Sequence, residues 1–186
     1  MIYNTIVIRS FLSALCCFLV LDVHAESTVR RYELPDHGRL ALEVPDGWVD
    51  NVRQPPERLP PTISFKQKSS AAFDILITPI WPFDPAKRLT PAKVEEIVRD
   101  SAKKAEPQAV ERKLEVRPLK GTSGSGHYFF ATDKAPAPGE HKYMTQGALT
   151  VGELLVTFTI LTNPGQTDIA KQALDMLTTA RHIAGK

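Results

Sequence analysis

The chain has 186 residues, with 23 Lys and Arg against 21 Asp and Glu, 5 His and a formal net charge of +2. Basic and acidic residues are interspersed and form no stripe, which removes the electrostatic case for nucleic acid or a membrane surface as partner. The only cysteines, Cys16 and Cys17, stand side by side near the start, so no disulfide framework or thiolate metal site is spelled out further along.

Arg9 precedes an apolar run over residues 11–21, and Val23-His24-Ala25 offers a cleavage site before Glu26. That run is shorter than the roughly 20 apolar residues of a transmembrane helix, and polar sequence follows at once. The pattern predicts a cleaved signal peptide over residues 1–25 and a periplasmic or secreted product with no stable membrane insertion. Both cysteines would leave with it, and Leu15 before Cys16 does not suit a lipoprotein site. Removing Arg9 and Asp22 together keeps the charge at +2. Roughly 160 residues remain, enough for one core without disulfide staples, so a single domain over residues 26–186 is expected.

Tyr32 and Leu34, then Leu40, Leu42 and Val44, alternate with polar residues on either side of Pro35-Asp36-His37-Gly38, which reads as a β-hairpin. The second strand runs into Val44-Pro45-Asp46-Gly47-Trp48, a turn expected to tip Trp48 back over the sheet. Pro55, Pro56, Pro60 and Pro61 make residues 51–61 loop or edge chemistry. Residues 62–65 and 73–77 read as a second hairpin. Phe73, Ile75 and Ile77 share one face of it and Asp74 and Leu76 the other, so coverage on both sides is expected.

Thr90 before Pro91 is an N-cap signature, and Val94, Ile97, Val98, Ala102 and Ala105 recur at helical spacing, which predicts a helix over residues 91–105. Leu114 and Val116 suggest a strand, residues 121–126 a turn, residues 127–132 a strand and residues 134–140 a loop. Residues 143–151 and 154–161 are separated only by Gly152-Glu153, the spacing of a tight hairpin. Asn163-Pro164-Gly165-Gln166 reads as the start of a last helix, whose apolar face is Ile169, Ala173, Leu174, Leu177 and Ala180 and whose end falls near His182. Hairpins segregated from two helices predict an α+β fold, with the helices on the faces of one antiparallel β-sheet.

This order, with Val44-Pro45-Asp46-Gly47-Trp48 after the first hairpin and a long meander entering a final helix, resembles the PsbP-like (Mog/PsbP-like) fold family over most of residues 29–183. The resemblance implies an α/β/α sandwich that acts by binding another macromolecule and not by catalysis. It implies no particular ligand residue, and fold does not transfer function.

Several constellations invite chemistry. Residues 121–126 are glycine-rich, but strand sequence follows them where a phosphate loop needs a helix. Ser125, His127 and Asp133 hold the residue types of a triad without the Gly-x-Ser-x-Gly presentation of a nucleophile. Of His37, His127, His141 and His182, the middle two would lie far apart on a ladder pairing His127 with Gly147 and Asp133 with His141, too far to share a metal. His182 near a helix end has an ordinary dipole explanation. Asp74, Glu95, Glu96 and Glu153 show no spacing that pairs two carboxylates. Trp81-Pro82-Phe83 lies between strand and helix, either as a lid on the core or as a rigid anchor for a partner.

These readings predict a non-catalytic exported module that recognises an unidentified protein partner in the cell envelope, with Trp81 and Phe83 as candidate partner-binding residues. No catalytic residue, metal or cofactor is expected. An immunity or chaperone protein is a narrower form of the same expectation. The alternative is a small-molecule or lipid carrier with an apolar pocket lined by Trp48, Phe73, Trp81 and Phe129, and a hydrolase built around His127 ranks third.

Overall fold

The computed structural model describes residues 26–56, 59–67, 73–82 and 89–185. The expected signal peptide over residues 1–25 and Phe83 lie outside the described residues.

Among the described residues ten strands form two antiparallel sheets, where one was expected, and two α-helices pack on them. The smaller has the order β1-β2-β10, from β1 Ser27–Leu34, β2 Gly38–Pro45 and β10 Arg181–Ile183. The larger has the order β3-β4-β5-β9-β8-β7-β6. Its strands are β3 Trp48–Arg53, β4 Thr62–Gln67, β5 Asp74–Ile80, β6 Arg117–Lys120, β7 Ser125–Thr132, β8 Tyr143–Val151 and β9 Leu154–Thr162. Helix α1 is Pro91–Ala105 and helix α2 is Thr167–Thr178.

The first hairpin forms as its alternation dictates, with Tyr32 opposite Leu40. Trp48 is buried in the core that the smaller sheet closes, together with Tyr32, Leu42 and Val44. The turn at Asp46 and Gly47 carries the chain to the larger sheet, where Trp48 opens edge strand β3 and is buried against Phe65 and Phe73. The rest of β3 is half-buried or exposed, which is why its sequence reads as loop.

Alternate residues of β4, β5, β8 and β9 point into one large core, closed from above by the smaller sheet and by α2 through Ala173, Met176 and Leu177. The opposite face of the larger sheet has a smaller core: α1 lies across β7 and β8 and seals Phe129, Ala131 and Ala148 beneath Val94, Val98 and Ala102. Thr90 caps α1 as its sequence implies, accepting a hydrogen bond from the Lys93 backbone N–H at 3.3 Å.

Four elements depart from expectation. Leu114 is buried under α1 but lies in no strand; its N–H donates to the Glu106 side chain at 3.1 Å, and pairing starts at Arg117. The last helix begins at Thr167 and not at Pro164, because Gly165 sits at a φ of +86°, outside the helical region. Asn163 instead closes a turn, donating its N–H to the Gln166 side chain at 2.7 Å. That helix stops at Thr178, and residues 181–183 pair with β2 as β10. Finally, β5 is covered on one side only, with Ile75 and Ile77 fully buried and Leu76 exposed.

Candidate functional site

The residues that suggested catalysis do not assemble. Ser125 and His127 lie on the α1 side of β7, where the nearest carboxylate to His127 is Glu95, 3.8 Å from Nε2 and beyond hydrogen-bond reach. Glu95 is engaged by Arg99 and Glu96 by Lys93, so the two acids diverge along α1. Asp133 lies past the far end of β7, its N–H donating to the Lys142 carbonyl at 2.9 Å. The ladder is offset by one residue from expectation, with His127 opposite Ala148 and Asp133 beside Lys142 in place of His141. His141 faces Asp74 at 4.0 Å, and Asp74 pairs with Lys66 at 3.3 Å. Among the described residues no group of three or more His, Cys, Asp or Glu is placed to hold a metal. Residues 121–124 form a tight turn closed by the Gly121 N–H on the Gly124 carbonyl at 2.9 Å.

His37 and His182 do come together. The His182 Nε2 lies 2.7 Å from the His37 carbonyl oxygen, and the His37 ring stacks on Trp81 with centroids 4.4 Å apart and planes at 24°. Trp81 is half-buried and packed on the main core. The four residues of the carrier pocket do not share a cavity. Trp48 and Phe73 fill the main core with rings 5.2 Å apart, while Phe129 lies under α1 on the other side of the sheet.

The surface that stands out is one that strand patterning on β5 concealed. Helix α1 packs on the β7 and β8 half of its sheet face; among the described residues the β9, β5, β4 and β3 half carries no helix, although Leu155 of β9 joins the core beneath α1 together with Leu89, and His141 faces Asp74 of β5. Register places Thr62, Thr78 and Thr157 in one row across this open half and Ser64, Leu76 and Thr159 in the next. The Thr62 and Thr78 hydroxyls are 3.2 Å apart, Thr157 donates to the Thr78 carbonyl at 3.3 Å, and Gln146 Nε2 donates to the Thr159 hydroxyl at 3.2 Å. Three large aliphatic side chains rise among these hydroxyls: Val49 at 50%, Leu76 at 39% and Ile80 at 37% exposure. Among the described residues the two central rows are uncharged from β4 to β9, and on the edge strand β3 they end at Arg53 and Asn51.

Where the open half meets α1 the described residues leave a crease. A cavity of about 200 Å³ lies at its Trp81 end between Leu89 and a floor of Ile80 and Leu155. A second of about 130 Å³ lies further along between Ile97 and Ser101 of α1 and a floor of Gln146, Thr157 and Thr159. The sequence did carry a signal for this surface. In β9, Thr157 and Thr159 alternate with the buried Val156, Phe158 and Ile160, which marks a strand face with no greasy cover.

Neither a protein-family model nor a curated protein matches this chain. Among solved structures it is similar to cyanobacterial PsbP (CyanoP) from Synechocystis sp. PCC 6803, at 16% identity and a TM-score of 0.49, over 87% of this chain and 96% of that one. It is also similar to a crystal structure from Bacteroides thetaiotaomicron VPI-5482, at 13% identity and a TM-score of 0.47, over 79% of this chain and 45% of that one. The likeness is one of fold, PsbP-like and α+β, and brings no site residue with it.

Proposed function

We propose that this chain is a non-catalytic exported module that recognises a protein partner in the cell envelope. The observation that carries the reading is the open half of the larger sheet, where exposed aliphatic side chains and hydroxyls form an uncharged centre and charge is held at the margin by the Lys66 and Asp74 pair and by Arg53 on the β3 edge. Protein interfaces have this anatomy: charge is depleted at the middle and kept at the rim. Trp81 stands at the end of the same crease, a half-buried aromatic of the kind that anchors interfaces. Export rests on the leader over residues 1–25, and among the described residues no helix is long and apolar enough to cross a membrane.

Affinity capture from native envelope material tests this. The unaltered chain recovers a specific protein, and a variant carrying Leu76→Arg and Thr159→Arg loses it. Recovery of nothing specific, together with turnover of a panel of hydrolase substrates, would overturn the proposal. A small-molecule carrier is the weaker reading, because pockets for such ligands run to roughly 300–1,000 Å³ and the larger of the two cavities described above is about 200 Å³.

A further inference from the structure

We infer that this chain pairs edge to edge with a second copy of itself through β3, about a two-fold axis at Asn51. Strand β3 is paired on one side only, with β4, and among the described residues no backbone–backbone hydrogen bond reaches its outer side. In an antiparallel ladder the N–H and C=O groups of successive residues turn alternately to one side and the other. The Trp48 carbonyl oxygen accepts from the Arg30 guanidinium at 2.8 Å, and Arg30 belongs to β1 of the other sheet. The Asn51 carbonyl oxygen accepts from the Ser64 hydroxyl of β4 at 3.3 Å. Both contacts give the same phase: Val49, Asn51 and Arg53 turn their backbone groups to β4, and Trp48, Asp50 and Val52 turn theirs outward.

The outward groups are closed off at each end. Arg30 satisfies the Trp48 carbonyl and pairs with the Asp50 carboxylate, while the strand stops at Arg53, two residues before Pro55. What stays open is the N–H and C=O of Asp50 and of Val52, placed symmetrically about Asn51. Free backbone groups on an edge take an extended strand, and their symmetry selects the strand that uses them all. That strand is β3 of another copy, run antiparallel with Asp50 opposite Val52 twice over and Asn51 opposite itself.

The side chains agree with this register. Residues directly opposite share a face, so Val49 meets Arg53 on the open face and Asp50 meets Val52 on the other, with no like charges opposed. Sliding by two residues, the smallest step that keeps the faces aligned, either sets Asp50 against Asp50 or carries Pro55 into the ladder. Val49 and Val52, 50% and 43% exposed, gain a neighbour in the pair. The other edges are worse suited: β6 has Pro118 between Arg117 and Lys120, β10 has three residues, and β1 carries Arg31 and Glu33 among its exposed positions. A contact this small makes a weak pair, and the open faces of both copies lie on one side of it.

The axis gives the test. Asn51 and its symmetry mate form a non-hydrogen-bonded pair with Cα atoms about 4.5 Å apart, within the reach of a disulfide. Position 52 lies about 9 Å from its own mate and position 49 about 14 Å, both beyond the limit of about 7 Å. Single cysteines replace Asn51, Val49, Val52 or, as an exposed control away from β3, Val110, in the full chain with Cys16→Ser and Cys17→Ser produced in its own host. Copper-catalysed oxidation is followed by non-reducing electrophoresis. The expected result is a linked dimer from Asn51→Cys forming about tenfold faster than from the other three. Adding Val52→Pro removes an outward donor and no bond to β4, so it lowers that rate about tenfold while circular dichroism shows the fold retained.

Linkage fastest at position 49 or 52 overturns the register and with it the axis. Equal linkage at all four positions, or none at position 51, overturns the pair. An Asn51→Cys rate unmoved by Val52→Pro in a folded chain overturns the backbone ladder. None of these outcomes touches the open face around Leu76 and Thr159, whose partner capture is measured separately.

Discussion

Glu111 shows how much one side chain can hold in place. Its carboxylate accepts from the Thr132 backbone N–H at 3.0 Å and from the Thr132 hydroxyl at 2.7 Å, tying the segment after α1 to the end of β7. Desolvation by burial pushes this carboxyl up, but the two Thr132 hydrogen bonds, its own backbone N–H and the nearby Lys142 charge outweigh it and hold the group below its ordinary value. A depressed carboxylate stabilises the fold above the unfolded-state value of about 4.3, and that contribution is lost as the pH falls through the lower folded value. Glu111→Gln is therefore expected to cost about 1–2 kcal/mol near neutral pH, with the gap to the unaltered chain closing in acid; urea denaturation across a pH series checks it. Gly147 is constrained by space. A Cβ there would lie 2.6 Å from the Phe158 ring and 2.7 Å from the Tyr128 Cβ, so Gly147→Ala is expected to destabilise by about 1–3 kcal/mol in the same assay.

Elements whose period, cap and turn all agree could be read from sequence almost to the residue. Helix α1 has Thr90, Pro91 and a regular apolar stripe, and it begins and ends where those signals put it. Loss of the cap in Thr90→Ala is expected to cost about 1 kcal/mol of stability, measurable as a shift in the denaturation midpoint. The β8 and β9 hairpin was as clear, because Gly152, at a φ of +60°, supplies the left-handed residue of a two-residue turn. The elements that escaped are those held by something other than their own sequence. β3 buries only Trp48, and β10 is three residues with no period to detect, placed by pairing with Arg39, Leu40 and Ala41. The start of α2 was misplaced because Asn163 and Pro164 satisfy the rules of a cap while Gly165 violates those of a helix.

For the whole molecule, the fold class was legible and the candidate site largely was not. Periodicity shows which face of a strand is apolar, but what lies above the second face depends on where a helix far along the chain comes to rest. Leu76 reads as a core residue for that reason and is a surface one. Adjacent positions on β5 should behave oppositely: Leu76→Arg leaves the melting temperature nearly unchanged, whereas Ile75→Ala, at a site with no exposure, costs about 2–5 kcal/mol. Thermal denaturation of the two variants decides whether that face is open in solution. Trp81 was singled out by its type alone; its stacking on His37 follows from a meeting of distant segments that no local pattern encodes.

The pairing of β10 with β2 joins segments far apart in sequence. Residues 37 and 182 meet across 145 positions of sequence, and the backbone at Ile183 fills the space where Gly38 has no side chain. A chain made from its N-terminus produces the first hairpin early, yet that hairpin waits for its third strand until residues 181–183 have emerged. Until then the β2 edge has no partner, and an unpaired edge leaves a nascent chain open to association with its own kind.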